Sequence, residues 1–404
     1  MIFRIAFRNV FRHKKRSLFT ALTMFGAFVL ASISIGIGEG MYTEVIDKFT
    51  RSYMGHIQVH REGYLDRPTL YKTIDDYEKA GQVIAETEGV DAWAPRLKAG
   101  GLAFVGDQTS GANILGVDPG LEERATFLSG KITEGSSFTD SHGKHALVGV
   151  GLLEILDARV GDSLVIVSQA ADGSIANDIY HITGAVESGD EMRDRSTVYL
   201  PLSEAQELFV LPGRVHEIVV MGEKVKRVRE LAKRISRSLA NPELSVSPWQ
   251  VFASSFYEAM QADKQGNYIT QVVVMIIVAV GVLNTVLMSV LERTHEYGVL
   301  KAMGTRPSQI FMMILLEVGI ITTGCIVLGS GVGTLVNYIF TRVGIEVPTA
   351  MEVGGFAIET MVSEINAKTY WMPGVIVFTA AMLVSLFPAI KAARTVPVEA
   401  MRTR

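Results

Sequence analysis

Long apolar runs and mixed polar stretches divide this chain unevenly. Residues 17–38, SLFTALTMFGAFVLASISIGIG, carry no charge. As a helix they would extend roughly 33 Å at about 1.5 Å per residue, enough to cross a hydrocarbon core of about 30 Å. Residues 268–291 form a second uncharged run, residues 309–341 a third whose single acid is Glu317, and residues 370–390 a fourth that stops just before Lys391. The pattern predicts four transmembrane helices. The first run exceeds the usual apolar segment of about 7–15 residues in a cleaved signal, and it lacks a small-x-small cleavage site, so it reads as a retained anchor.

Between the first and second runs the period changes. GHIQVH (55–60) alternates as a strand, TIDDYEKAGQVIAETEG (73–89) is helical with a glycine stop, and DAWAPRL (91–97) returns as a strand. The order repeats later with HEIVVMG (216–222) as strand, EKVKRVRELAKRISRSL (223–239) as amphipathic helix and ELSVSPW (243–249) as strand. Two such units at the ends of the segment predict one membrane-proximal α/β part. The middle, about 98–205, is richer in strands and turns. There ALVGVGLLEILDARVGDSLVIV (146–167) reads as helix, turn and strand, followed by DIYHITGAVES (178–188), which predicts a β-rich insert.

Composition and charge sharpen this layout. A chain of 404 residues that is 48% hydrophobic and 20% charged must cluster its apolar residues. The formal charge of −4 conceals a segregation. Arg4, Arg8, Arg12, Lys14, Lys15 and Arg16 precede the first run with no acid, and Lys391, Arg394, Arg402 and Arg404 follow the last against Glu399 alone. Both ends are therefore expected in the cytoplasm, with residues of about 40 to 267 on the far side. MIFRIAFRNVFRHKKR sets Phe3, Phe7, Val10 and Phe11 on one helical stripe and Arg4, Arg8 and Arg12 on another, the pattern of a helix in the membrane interface. Topology and anionic lipid explain these basic residues better than nucleic acid does.

Catalytic and metal motifs are not apparent. The eight histidines lack ligand spacing: His142 and His145 flank a Gly-Lys turn, and His56 and His60 do not converge on a strand. Cys325 is the one cysteine, so no disulfide can form within the chain. GVGLL at 149–153 lacks the third glycine of a dinucleotide fingerprint. Glycines 329, 331 and 333 lie in a span, where they permit close helix packing, and no G-x-x-x-x-G-K-[ST] phosphate loop occurs. The chain is expected to be no enzyme, to hold no cofactor or metal, and not to hydrolyse ATP by itself.

The bend after the second run concentrates polar chemistry. ERTHEYGVLKAM is expected to continue the helix beyond Leu291 as an amphipathic end, with Tyr297, Val299, Leu300 and Met303 apolar and Glu292, Arg293, Glu296 and Lys301 polar. Gly304 suits the C-terminal stop, Thr305 a cap for the next helix, and Pro307 its first turn.

ERTHEYGVLKAMGTRPSQI closely resembles the characteristic cytoplasmic segment of FtsX-like permeases, E-R-x-x-E-[IFY]-G-[IV]-L-[KR]-A-[LM]-G. FPAIKAARTVPVEAMR (387–402) resembles that family's closing segment, and FRIAFRNVFRHKKRS its amphipathic leading helix. Together they bracket the whole chain. The resemblance implies an α-helical membrane protein with four transmembrane helices and a large mixed α/β extracytoplasmic, periplasmic domain of the MacB-like kind between helices 1 and 2. Such a permease belongs to a bacterial inner-membrane ABC transporter that works by mechanotransmission.

The implied layout is a leading helix (1–16), helix 1 (17–39), the periplasmic domain (40–267, with its α/β part at 40–97 and 206–262 and its insert at 98–205) and helix 2 (268–291). A coupling helix (292–308), helix 3 (309–341), a periplasmic loop (342–369), helix 4 (370–390) and a cytoplasmic tail (391–404) follow.

The resemblance also implies partners. Two ATPase subunits would bind ATP and Mg, and a second permease, identical or paralogous, would complete the membrane part. Glu292, Arg293, Glu296, Tyr297, Gly298, Leu300, Lys301, Met303 and Gly304 would form the surface that docks on the ATPase. Within the family the chain looks most like lipoprotein-releasing permeases of the LolC/LolE type, through SPWQVFASSFYEAMQADKQGNYI (247–269), residues 145–167 and SGDEMRDRSTVYLPLSEAQELF (188–209). Asp157-Ala158 departs from the usual Leu-Gly before the RVGD turn.

The cargo would then be a lipoprotein passed to a periplasmic carrier. Its acyl chains would meet Phe25, Phe28, Val29, Val274, Ile277 and Val278, which otherwise read as lipid-facing or packing surface. Glu317, an acid in a span, is a functional candidate that water or a base from the ATPase could satisfy. A MacB-like efflux permease for peptides or small molecules, an FtsX-like permease that signals to a periplasmic partner without transport, and a stand-alone receptor are the alternatives.

Overall fold

The computed structural model describes residues 2–12, 14–138, 144–353 and 356–396. His142, parts of the leading segment and insert, and the closing tail from 397 onward lie outside the described residues. In chain order, α1 (Ile2–Arg12) and α2 (Lys14–Phe49) lead through a π-turn at Thr50–Met54 to β1 (Ile57–Arg61), β2 (Ile74–Asp75), α3 (Tyr77–Ala85), β3 (Val90–Val105) and β4 (Gln108–Val117). Next come α4 (Pro119–Thr126), β5 (Ile132–Gly135), β6 (His145–Gly149), α5 (Val150–Ile155), β7 (Ser163–Gln169), β8 (Ile175–Val186), α6 (Glu191–Asp194), β9 (Thr197–Pro201) and α7 (Leu202–Leu208). The domain closes with β10 (Arg214–Val215), β11 (Glu217–Gly222), α8 (Val228–Leu239), β12 (Leu244–Pro248) and α9 (Trp249–Phe252). Then follow α10 (Ser254–Glu292), α11 (Thr294–Ala302), α12 (Pro307–Val343), a hairpin of β13 (Ile345–Val353) and β14 (Phe356–Met361), and α13 (Lys368–Arg394). That hairpin occupies part of the stretch expected as a plain loop.

The chain divides into two compact units, one of residues 1–42, 260–349 and 359–404 and the other of residues 43–259 and 350–358. Four helices among the described residues are long and apolar enough to cross a membrane, those within 17–54, 254–292, 307–343 and 368–394, and their apolar runs lie in the first unit. Two run further than their apolar stretches. No glycine with positive φ interrupts the chain after the first apolar run until Gly55, at φ 75°, whose N–H donates to Thr50 O at 2.7 Å. At its other end α10 begins at Ser254, ahead of the uncharged run.

Packing in this unit uses small residues. Phe28, fully buried, lies so close to Gly329 that a Cβ there would come within 2.7 Å of its ring. Met24, Val282, Ile314 and Val377 extend the same core. A polar seam crosses it: Asn337 Nδ2 donates to Ser32 Oγ at 3.2 Å, Ser363 Oγ to Asn337 Oδ1 at 2.8 Å, and Ser32 Oγ to Thr369 O at 2.8 Å. Buried hydroxyl and amide groups thereby satisfy one another. On α1, Phe3, Phe7 and Phe11 stay exposed while Ala6 is buried, the disposition of a helix with an unpaired apolar face.

In the second unit, the strands expected at 55–60, 216–222 and 243–249 form within one or two residues of their predicted limits, the one expected at 91–97 starts at Val90 but runs on to Val105, and the four lie side by side in the order β12-β1-β11-β3. The insert is not separate from them. β3 runs for 16 residues through the expected boundary at 97/98, pairing with β11 over its first half and with β4 over its second. Near its end it also pairs with β7, which pairs in turn with β8. The cycle β3-β4-β9-β6-β8-β7 therefore returns to β3, a closed arrangement that leaves no free edge within the ring. Gly101 sits where β7 joins: a Cβ there would stand 2.9 Å from Ile114 and 3.0 Å from Val167 O.

Candidate functional site

The bend between α10 and α12 is not one continued helix. α10 ends at Glu292, Arg293 leaves helical geometry at φ −100° and ψ 12°, and α11 restarts at Thr294. The reason lies in side chains. Arg293 turns inward, where Nη1 donates to Glu317 Oε1 and Oε2 at 3.1 and 3.0 Å and Nε donates to Glu296 Oε2 at 3.0 Å. Thr294 Oγ1 donates to Val290 O at 3.1 Å and Leu291 O at 2.8 Å, competing for carbonyls of the preceding turn. A nearly buried base thus meets the acid of the third span inside one chain, and Glu317 requires neither water nor a foreign base.

The rest of α11 is fastened at two more points. Tyr297 is buried in the core with Val290, Ile310 and Ile314. Lys301 Nζ donates to Ala393 O at 2.7 Å and Thr395 O at 2.8 Å, capping the carbonyl end of α13 where a positive charge is favoured. Gly304, at φ 94°, ends the turn, and Thr305 N–H reaches Leu300 O at 3.0 Å. Pro307 takes the first position of α12. Arg306, rather than Thr305, is the capping residue, and its N–H donates to Gln309 Oε1 at 2.9 Å.

These contacts divide the nine residues proposed for ATPase docking. Arg293, Tyr297 and Gly298 are buried and belong to the inside of the fold, not to its surface. Glu296, Leu300 and Lys301 are half-buried, whereas Glu292, Met303 and Gly304 are exposed, Met303 to 71%. His295, Ala302 and Arg306 are exposed beside them, and no motif or spacing in the sequence singles them out. What presents itself is a short knuckle with a methionine at its tip, held rigidly from behind.

Of the six residues proposed to meet acyl chains, four share one cluster. Phe28 and Val278 are buried in the core of the first unit, and Phe25 and Val274 pack partly buried against it. Val29 is half-buried, and Ile277 is exposed to 66%. Phe28 and Val278 therefore serve packing within one chain. The histidines serve the second unit in a similar way: His56 Nδ1 accepts from Gly222 N–H at 2.9 Å, and His60 Nε2 lies 3.1 Å from Glu217.

The same unit contains a buried ionic cluster that sequence reading missed. Arg96 donates to Glu122 through Nε at 3.0 Å and through Nη2, and to Glu217 through Nη1 at 3.3 Å; Lys98 Nζ also reaches Glu217. Burial alone would raise the Glu217 carboxyl, but Lys98, the His60 contact and Arg96 together hold it well below the ordinary carboxylate range. Alternation at 91–97 marks the strand but cannot reveal which distant carboxylates face Arg96.

Four apolar spans, with a mixed α/β domain between the first and second and a knuckle after the second, define an ABC transporter permease. The family model of the MacB-like periplasmic core domain matches residues 17–238, and that of the FtsX-like permease C-terminal region matches residues 268–397. The chain belongs to this FtsX-like, MacB-type permease family, whose members work with ATPase subunits.

Relatives match nearly the whole of this chain. Lipoprotein-releasing system transmembrane protein LolC of Neisseria meningitidis serogroup B is 20% identical over 413 residues, covering 97% of this chain and 96% of that protein. An uncharacterized ABC transporter permease of Methanocaldococcus jannaschii is 22% identical over 414 residues, covering 99% and 97%. The macrolide export ATP-binding/permease protein MacB of Escherichia coli is 23% identical over 408 residues, covering 95% of this chain but 58% of that protein. Among solved structures, the periplasmic region of MacB from Actinobacillus actinomycetemcomitans matches 53% of this chain and 98% of that one, at a TM-score of 0.38 and 12% identity.

Proposed function

We propose that this permease extracts lipoproteins from the bacterial inner membrane and delivers them to a periplasmic carrier, driven by mechanotransmission from a separate pair of ATPase subunits. In this reading both termini are cytoplasmic, the α/β domain is periplasmic, and a second permease, identical or paralogous, completes the membrane part. ATP and Mg bind to the ATPase, and this chain contributes no catalytic residue. The observation that carries the coupling is the knuckle. Arg293 ties it to the third span through Glu317, and Lys301 ties it to the end of α13, so force on its exposed tip passes to the spans without bending a loose loop. End-to-end likeness to a LolC protein supports the choice of cargo.

Likeness to MacB over 95% of the chain favours efflux of peptides or small molecules as a second reading. The test is co-expression with a cognate ABC ATPase and reconstitution in nanodiscs, followed by ATP turnover and release of a triacylated lipoprotein. Turnover and release that both fall with Glu292→Lys/Met303→Glu support the proposal. Turnover without lipoprotein release refutes the cargo and favours efflux or signalling, and failure of the two subunits to associate refutes the coupling.

A further inference from the structure

The second unit contains an open cleft of about 590 Å³, a volume in the range of small-molecule sites. Its polar wall is built around Tyr53, on the π-turn after α2. The guanidinium of Arg193 lies 3.3 Å from the centre of the Tyr53 ring, that of Arg96 lies 4.3 Å away, and the Lys98 ammonium lies 5.7 Å away. Three cations on one ring leave two acids, Glu122 and Glu217, to balance the buried part of the cluster. Both are already engaged by Arg96 and Lys98. The remaining cation, Arg193, has Nε and Nη1 buried from solvent without a hydrogen bond, and its nearest carboxylate, that of the half-exposed Asp190, stands 3.7 Å away. Arg193 is thus less fully paired than Arg96 and Lys98, and it lines the cleft beside Asp190.

Two further observations give the sign and shape of a ligand for the cleft. Lys131, near this cluster, is lowered to about 8 chiefly by burial, with Glu122 drawing it up and Arg96 and Arg193 pressing it down, so it adds a further cationic group beside them. Tyr64 lines the cleft, and burial raises its phenol to about 12, so it stays a neutral donor. Leu70, Leu115 and Met192 supply an apolar side.

We propose that this cleft binds a small amphipathic anion, a carboxylate or phosphate group on an apolar stem, with the anionic group received by Arg193 and Lys98. The site is distinct from the knuckle and stands independently of the transport reading. Its anion could come from a lipid headgroup or from a free solute.

The test uses the full chain in nanodiscs of neutral phosphatidylcholine, titrated with 4-(trifluoromethyl)benzoate and 4-(trifluoromethyl)benzyl phosphate and followed by fluorine NMR against empty discs. The neutral 4-(trifluoromethyl)benzamide serves as the isostere. Saturable binding of an anion that weakens about tenfold or more for the amide, and by a similar factor in Arg193→Gln, is the expected result. Equal affinity for benzoate and benzamide, or wild-type affinity in Arg193→Gln, overturns the proposal.

Should Arg193→Gln fail to fold, Gly100→Leu decides. Gly100 lines the cleft and a Cβ there meets nothing within 4 Å, so the added bulk is tolerated at the wall. Lost binding supports the site and unchanged binding overturns it. Replacing part of the phosphatidylcholine with phosphatidylglycerol then separates the sources. Displacement of the bound anion supports a lipid headgroup as ligand, and undiminished binding supports a free solute.

Discussion

Arg293 and Glu317, 24 positions apart in the chain, form a two-pronged ion pair with side chains only 6% and 14% exposed. Removing one member leaves the other charge stranded in a nearly buried place, a loss of about 3–5 kcal/mol by comparison with other buried pairs. Arg293→Met and Glu317→Met should each lower the thermal unfolding midpoint of the reconstituted chain. Arg293→Met/Glu317→Met should lower it by less than the sum of the two single changes. Additive losses across this double-mutant cycle would mean that the pair carries no shared energy.

A different outcome is expected at the knuckle's tip. Met303 is exposed to 71% and Tyr297 to 1%, so the same loss of ATPase binding can arise from two causes. Met303→Glu should reduce co-purification of the ATPase several-fold while leaving the unfolding midpoint unchanged. Tyr297→Ala should lower that midpoint, with a core aromatic truncation costing about 3–5 kcal/mol. If Met303→Glu retains full ATPase association, the exposed tip is not the docking surface.

Much of this arrangement was legible because uncharged runs and strand alternation are local signals. The four spans, though not their full helical lengths, and the strands at 57–61, 217–222 and 244–248 follow from them. The break at Arg293 was not legible, since ERTHEYGVLKAM contains good helix formers and the residue that turns Arg293 inward is Glu317, on the next span. The burial of Phe28 and Val278 was not legible for another reason. A helix that is apolar all round gives no periodic clue to which side faces lipid and which faces protein. Closure of β3 against β7 depends on pairing Leu102 with Val167, which alternation along either strand cannot specify.

The contact of Phe28 with Gly329 gives a prediction within the spans. A methyl group at position 329 would stand 2.7 Å from Phe28 Cδ1, closer than real carbon contacts, so either the ring or the helix must move. Overpacking of this kind costs about 1–3 kcal/mol. Gly329→Ala should lower the unfolding midpoint, and Gly329→Ala/Phe28→Leu should regain part of the loss because the smaller side chain vacates the contact. A double variant no better than the sum of its parts would show that Phe28 does not limit the approach of the two helices.

Acid should act on the α/β domain through Glu217. This carboxyl is held well below its ordinary value of 4.5 against the opposing effect of burial, first by Lys98 and then by His60 and Arg96. At neutral pH it is ionised in both folded and unfolded chains, and its full stabilisation is present. As pH falls through 4.5 the unfolded chain takes up the proton first, so folding becomes progressively less favourable until the folded carboxyl also titrates. With Trp371→Phe, the remaining two of three tryptophans, Trp93 and Trp249, report on this domain alone. Their unfolding midpoint should be level near neutral pH and begin to fall below about pH 5. Glu217→Gln should start lower, because Arg96 and Lys98 lose their shared anion, yet decline less steeply with acid. An equal acid slope in the two proteins would assign the loss to other carboxylates and leave the Glu217 cluster without a role in acid sensitivity.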